Sequence, residues 1–174
     1  MLSLPVKLVS KQKLDYLALC YSLVVLGLTN GYSFSNIRWL MAQAALESDW
    51  GTSNLATNHN NFFGMWKPNS RRTVNAGTYA TNDTAQNVEY LVYTSAWQCA
   101  KDRILWDKEF TTSVYPYRNS KGYPDAVASR YHSSDGYSPA VGNVLTVHES
   151  EFKRITGAVM LACPLEIWAV TKMF

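Results

Sequence analysis

Apolar side chains fall on nearly every side of the stretch from Lys11 to Leu28, so the pattern predicts a helix buried over most of its surface. Asn30-Gly31 stops it. Ser35 is placed to cap a second helix over 36–48, where Ile37, Leu40, Met41, Ala44, Ala45 and Ser48 recur at three- and four-residue spacing. Gly51 stands where a left-handed cap belongs, and 52–64, rich in Asn, Ser and Thr, reads as loop. Between Thr73 and Tyr93 the period shortens to two. Val88, Tyr90 and Val92 alternate with Glu89, Leu91 and Tyr93 after the turn signal Asn82-Asp83, which predicts a β-hairpin. Ser95 then caps a third helix to about Phe110, with Trp97, Ile104 and Leu105 turned to the core. A turn-rich connection over 113–124 leads to a short helix at 124–130. Ser138-Pro139 opens a last long helix carrying Val141, Val144, Leu145, Phe152 and Ile155. The elements add up to an α+β domain, mainly helical, with one small hairpin.

Composition narrows the classes. At 174 residues and 47% hydrophobic, the chain has the length and apolar content of one folded domain, here residues 1–156, followed by an apolar tail over 157–174. Sixteen Lys and Arg against thirteen Asp and Glu leave +3, too mild for a dedicated nucleic-acid binder but suited to anionic polymers such as cell-wall glycans. Three cysteines without C-x-x-C spacing exclude a zinc ribbon. His59, His132 and His148 have no metal-ligand spacing, so neither metal nor cofactor is expected. Tyr16–Leu28 resembles a signal-peptide core. Asp15 interrupts its basic flank, however, and Thr29-Asn30-Gly31 is no cleavage site, so a buried first helix is expected instead. In the tail, Pro164, Glu166 and Lys172 argue against a membrane span and for a segment that packs on the domain or touches a membrane weakly. Nothing in the pattern bears on oligomeric state.

The chemistry concentrates in Ala42–Trp66, AQAALESDWGTSNLATNHNNFFGMW. Glu47 falls in the last turn of an apolar helix, where the negative end of the helix dipole and a low-dielectric surround both disfavour its ionised form. Trp50, three residues on, is placed to shield it further. A carboxylic acid held neutral in this way can protonate a leaving oxygen near neutral pH. Asn60-Asn61 can tie the following loop through side-chain amides, while Phe62, Phe63 and Gly64 anchor it and let backbone approach a ligand. An acid, a polar loop and an aromatic wall are what glycoside hydrolysis requires. By residue type alone, a solvated helix-end Glu and an ordinary structured loop remain equally open.

The string AQAALES-x-WG at 42–51, with SNLA at 53–56 and NNFFGM at 60–65, closely resembles the glucosaminidase domain of glycoside hydrolase family 73, the family of bacterial autolysins and flagellar peptidoglycan hydrolases. Tyr90-Leu91-Val92-Tyr93-Thr94-Ser95 is similar to that family's aromatic-x-x-Tyr-x-Ser strand motif. Residues 131–137, YHSSDGY, are similar to its Tyr-Ala-Thr-Asp-x-x-Tyr segment. The resemblance covers roughly residues 11 to 155. It implies a lysozyme-like fold, with a helical lobe and a small hairpin lobe flanking a glycan groove. It also implies cleavage of the β-1,4 bond after N-acetylglucosamine in peptidoglycan, so that peptidoglycan strands are the partner. Glu47 falls on the family's general acid and Tyr131 on a tyrosine of its active site. Asn61, Phe62 and Gly64 fall on its groove loop, and Trp66 and Tyr137 join them as substrate-binding candidates.

One departure stands out. Family members often carry a second carboxylate in a Thr-x-Glu motif on the hairpin, and Thr78-Tyr79-Ala80 has alanine there. An inverting reaction needs a base about 6.5–9.5 Å from the acid. Glu89 and Asp83 are the available substitutes, against their ordinary readings as a solvated strand residue and a turn former. The departure keeps a lytic transglycosylase, a muramidase and a non-catalytic glycan-binding or structural protein as alternatives. Action at the bacterial cell wall is expected in any case. A catalytic domain without wall-binding repeats suits a phage lysis or virion-associated enzyme, or a piece of a larger autolysin.

Overall fold

The computed structural model describes residues 10–68, 72–80, 88–132 and 136–162. Helix α1 spans Lys11–Thr29, with the Ser10 hydroxyl accepting from the Lys13 amide. Its Leu19, Cys20, Leu23 and Val24 are fully buried, as a helix apolar on most sides requires. No helix among the described residues is long and apolar enough to cross a membrane. Helix α2, Phe34–Ser48, starts two residues earlier than the sequence suggests. Ser33, not Ser35, is the cap, its hydroxyl accepting from the Asn36 amide at 3.2 Å. Helices α1 and α2 pack so closely that a Cβ on Gly27 would come within 2.6 Å of Ile37 Cγ1.

Three consecutive left-handed residues end α2: Asp49 (φ 48°), Trp50 (φ 56°) and Gly51 (φ 84°). They reverse the chain so that Gly51 abuts α1, where a Cβ would meet the Gln12 carbonyl and Tyr16 at 3.2 Å. The segment read as loop after it contains a short helix, α3, Asn54–His59, capped by Ser53. The hairpin pairs β1, Gly77–Ala80, with β2, Glu89–Val92, antiparallel, and sets Ala80 directly opposite Glu89. Its turn, including Asp83, lies outside the described residues.

Helix α4, Ala96–Glu109, is capped by Ser95 as expected but faces differently. Trp97 is largely exposed and Leu105 only half-buried, while Cys99, Ala100, Arg103, Ile104 and Asp107 point inward. A single 3-10 turn at Tyr115–Tyr117 precedes α5, Tyr123–Tyr131. The one long helix expected from Ser138 is two: α6, Tyr137–Val147, and α7, Glu149–Ala162. The break falls at His148, whose ring packs on Trp50 at 4.5 Å. Glu149 and Glu151 then occupy the first turn of α7, where carboxylates favour a helix start. Helix α7 runs across the boundary drawn at 156, and Val159 beyond it is buried. Residues 163–174 lie outside the described residues.

The outcome is a mainly helical body around α2 with a two-stranded sheet at its side. The last turn of α2, the loop 61–65, α4 and the end of α5 meet along one groove.

Candidate active site

Glu47 projects from the last turn of α2 into a groove of about 850 Å³. Trp106 and Tyr131 form its aromatic wall, with the wholly buried Phe63 behind them; Trp66, Lys67 and Tyr90 border it on the hairpin side. The carboxyl is half-buried, and burial raises its pKa above the usual carboxylate value. The hydrogen bond from Tyr137, with the electrostatic influence of His132 and Arg103, opposes that shift only in part. Trp50 takes no part in the shielding expected of it. Beyond the left-handed turn it lies outside the groove lining and packs on Tyr16, Phe152 and His148.

The Tyr137 hydroxyl donates to Glu47 Oε1 at 2.5 Å and accepts from the Gln43 amide nitrogen at 2.8 Å. Tyr137 is itself buried at the start of α6, stacked between Tyr131 and His132. It reaches the acid from behind and does not line the groove. Tyr131 does line it, but its hydroxyl is committed, donating to the Phe63 carbonyl and so pinning the loop 61–65 to α5.

The loop residues divide. Asn61 is fully buried; its amide donates to the Met65 and Leu91 carbonyls at 2.9 Å and accepts from the Met65 amide at 2.9 Å. With its hydrogen-bonding capacity spent on the loop and β2, it shapes the groove rather than touching a ligand. Phe62 and Phe63 are both wholly buried; of the two, Phe63 is the one against the groove lining. Gly64 has φ 58°, and a Cβ there would stand 3.8 Å from Glu47 Oε2, so the backbone passes close to the acid. Trp66 is 56% exposed on the groove's edge, its indole edge-on to Tyr90 at 6.3 Å. An exposed indole held by its neighbour is a flat platform for a sugar ring. Trp66→Ala is expected to raise KM for glycan about two- to tenfold with little change in kcat, from a stacking contact worth about 0.5–1.5 kcal/mol. Steady-state kinetics on soluble glycan fragments check this.

Of the second-carboxylate candidates, Glu89 does not line the groove. Its carboxylate is exposed, bonded to Lys67 Nζ at 2.6 Å and Thr78 Oγ1 at 3.3 Å, and the hydrogen bond from Lys67 lowers its pKa. Asp83 lies outside the described residues. Among those described, the other carboxylate lining the groove is Glu109, at the end of α4 next to Phe110.

Sequence reasoning missed the layer beneath the wall. Arg103, fully buried, donates from Nε to Gln43 Oε1 at 3.2 Å and from Nη1 to Asp107. Asp107 Oδ2 also accepts from the hydroxyls of Tyr32 and Tyr123, each at 2.5 Å. Burial works against the guanidinium charge, and Asp107, Tyr123 and Tyr131 together more than restore it. Among the described residues, Arg103 Nη2 has no hydrogen-bond acceptor. The guanidinium instead sits over the rings of Trp106 at 4.7 Å, Tyr131 at 5.4 Å and Phe63 at 5.7 Å, whose π faces attract the cation. Inward charges at 103 and 107 on a helix with apolar neighbours were the signal available in the sequence.

The family model for glucosaminidases, described as mannosyl-glycoprotein endo-beta-N-acetylglucosaminidase, matches residues 30–149. That span runs from the end of α1 to the start of α7 and contains every groove residue. No curated protein matches the chain in sequence. Solved structures with the same fold include the peptidoglycan hydrolase from Sphingomonas sp. A1, with TM-score 0.59, 18% identity, and coverage of 86% of this chain and 95% of that one. The glycoside hydrolase domain of Salmonella typhimurium FlgJ gives 0.54 at 18% identity, over 80% and 97%. The catalytic domain of the autolysin Auto from Listeria monocytogenes gives 0.53 at 18%, over 84% and 89%.

Proposed function

The chain belongs to the glucosaminidase family and is a glycoside hydrolase; from that premise we propose that it cuts the β-1,4 glycan backbone of peptidoglycan as an endo-β-N-acetylglucosaminidase, with Glu47 as general acid. The observation that carries the assignment of Glu47 is its place: a half-buried carboxyl with a raised pKa, in the wall of an aromatic groove. Burial keeps a fraction of the acid protonated where an exposed glutamate would be ionised, so it can give its proton to the glycosidic oxygen as the bond to C1 breaks. The exposed indole of Trp66 at the groove's edge offers a stacking face for a sugar of the bound glycan.

Glu89, tied to Lys67 outside the groove lining, is not assigned to the reaction. The described side chains supply the acid half of the chemistry, and the site of action is the bacterial cell wall. Purified peptidoglycan incubated with the protein is expected to clear and to release fragments with reducing N-acetylglucosamine ends, read by mass spectrometry. Reducing N-acetylmuramic acid ends would make it a muramidase and anhydro-muramic ends a lytic transglycosylase. Glycan binding without cleavage, by folded protein on walls of several bacteria, would overturn the enzymatic reading of the groove.

A further inference from the structure

We propose that Gln43 is a positioning residue for the reaction: held by Arg103, it makes Tyr137 donate to Glu47 Oε1 and so leaves the transferable proton on Oε2, the oxygen beside Gly64. The inference rests on the assignment of Glu47 as the acid. The argument is a chain of donors and acceptors with one consistent solution. A guanidinium has only donors, so the Gln43 atom facing Arg103 Nε at 3.2 Å must be its carbonyl oxygen. That fixes the amide, and its nitrogen then faces the Tyr137 oxygen at 2.8 Å and donates to it. With its oxygen receiving that proton, the phenol directs its own proton to Glu47 Oε1 at 2.5 Å. Oε1 is thereby occupied as an acceptor, and a proton on the carboxyl resides on Oε2. That oxygen faces the groove loop, 3.8 Å from where a Cβ on Gly64 would stand.

The chain is anchored at its far end. Arg103 is held by Asp107, whose other oxygen takes the Tyr32 and Tyr123 hydroxyls, and Gln43 and Arg103 are both wholly buried. The amide therefore has no water to turn toward. The titratable and charged groups facing Glu47 are Tyr137 on α6, Tyr131 and His132 at the end of α5, and Arg103 on α4. The groove loop contributes Gly64.

The test replaces the amide by an acceptor. In Gln43→Glu, a carboxylate at position 43 accepts from both Arg103 and Tyr137, drawing the phenol proton away from Glu47. The variant is expected to fold, to lose about tenfold in kcat, and to move the basic limb of the pH–rate profile up by about one unit, the shift expected when an acid loses a hydrogen-bond donor and gains a negative neighbour. Tyr137→Phe removes the donor without adding charge and is expected to move that limb in the same direction. Carbon-13 titration of the Glu47 carboxyl, assigned with Glu47→Gln, reads the same upward shift in the absence of substrate. A residue that merely packs would lower the melting temperature and leave this titration unmoved. If Glu47 titrates as in the wild type in folded Gln43→Glu and in Tyr137→Phe, the inference is wrong. Should Gln43→Glu not fold, Tyr137→Phe decides alone. The carboxyl titration does not depend on hydrolysis. Absence of wild-type cleavage with the shift present therefore overturns the glycosidase reading, whereas an unshifted titration in an active enzyme overturns this one.

Discussion

Glu47→Gln is expected to abolish glycan cleavage, lowering kcat by about 10²–10⁴-fold, the contribution of a positioned general acid. The same change should make the protein more stable at neutral pH. The folded pKa of Glu47 is raised above the ordinary glutamate value of 4.5, chiefly by burial. Below that value the carboxyl is protonated in both folded and unfolded chains and costs nothing. As pH rises through the window between 4.5 and the raised folded pKa, the unfolded chain ionises first, and stability is lost. Above the window the penalty is complete. Glutamine has no charge to bury and can still accept from Tyr137. The variant should therefore melt with the wild type at low pH and above it at neutral pH, the gap opening as pH increases. Turbidity clearing of purified peptidoglycan and melting curves across pH read the two effects separately. Undiminished clearing by the variant would remove Glu47 from the mechanism, and a variant less stable than wild type at neutral pH would contradict the burial argument.

The largest loss of stability is expected at Asp107. Its carboxylate pairs with Arg103 and accepts from Tyr32 and Tyr123, and all four side chains are buried. Asp107→Ala leaves a guanidinium in the core without its counter-ion and two phenols without an acceptor. Breaking a buried ion pair on one side costs about 3–5 kcal/mol. A domain has only about 5–15 kcal/mol to lose. Urea denaturation should show a midpoint far below wild type, with Asp107→Asn between the two because its amide oxygen still accepts from the tyrosines. A loss under about 1 kcal/mol, the scale of a single ordinary hydrogen bond, would mean that Arg103 finds other compensation in the folded chain. Because Arg103 also orients Gln43, the same variant should lose activity before it unfolds.

What the sequence made legible follows from where its signals are local. The apolar period of α1 and α2, the serine before α4 and the alternation in β2 each depend on a few adjacent residues, and the fold carries all of them. The acid at the end of α2 was readable for the same reason: helix end, apolar surround and resemblance coincide at Glu47. The misses are non-local. Trp97 looked like core because it is apolar, but α4 turns Arg103 and Asp107 inward in its place. Charges can be interior when they neutralise one another, and neither partner announces the other in sequence. Trp50 is near the acid along the chain, whereas three left-handed residues in succession end α2 and the indole packs on Tyr16, Phe152 and His148 instead. Asn61 and Phe62 sit in the right loop, but which loop residues face outward is decided by contacts with β2 thirty residues away.

Cys20 and Cys99 bear on where such a protein can work. Both thiols are free and wholly buried, and burial pushes each up to about 12. At pH 7 only on the order of one in 10⁵ such groups is thiolate, the form that exchanges with disulfides or meets an oxidant. As far as these two side chains are concerned, the covalent structure of the core is indifferent to redox conditions. The same packed interior holds its thiols unchanged in a reducing medium and in an oxidising one.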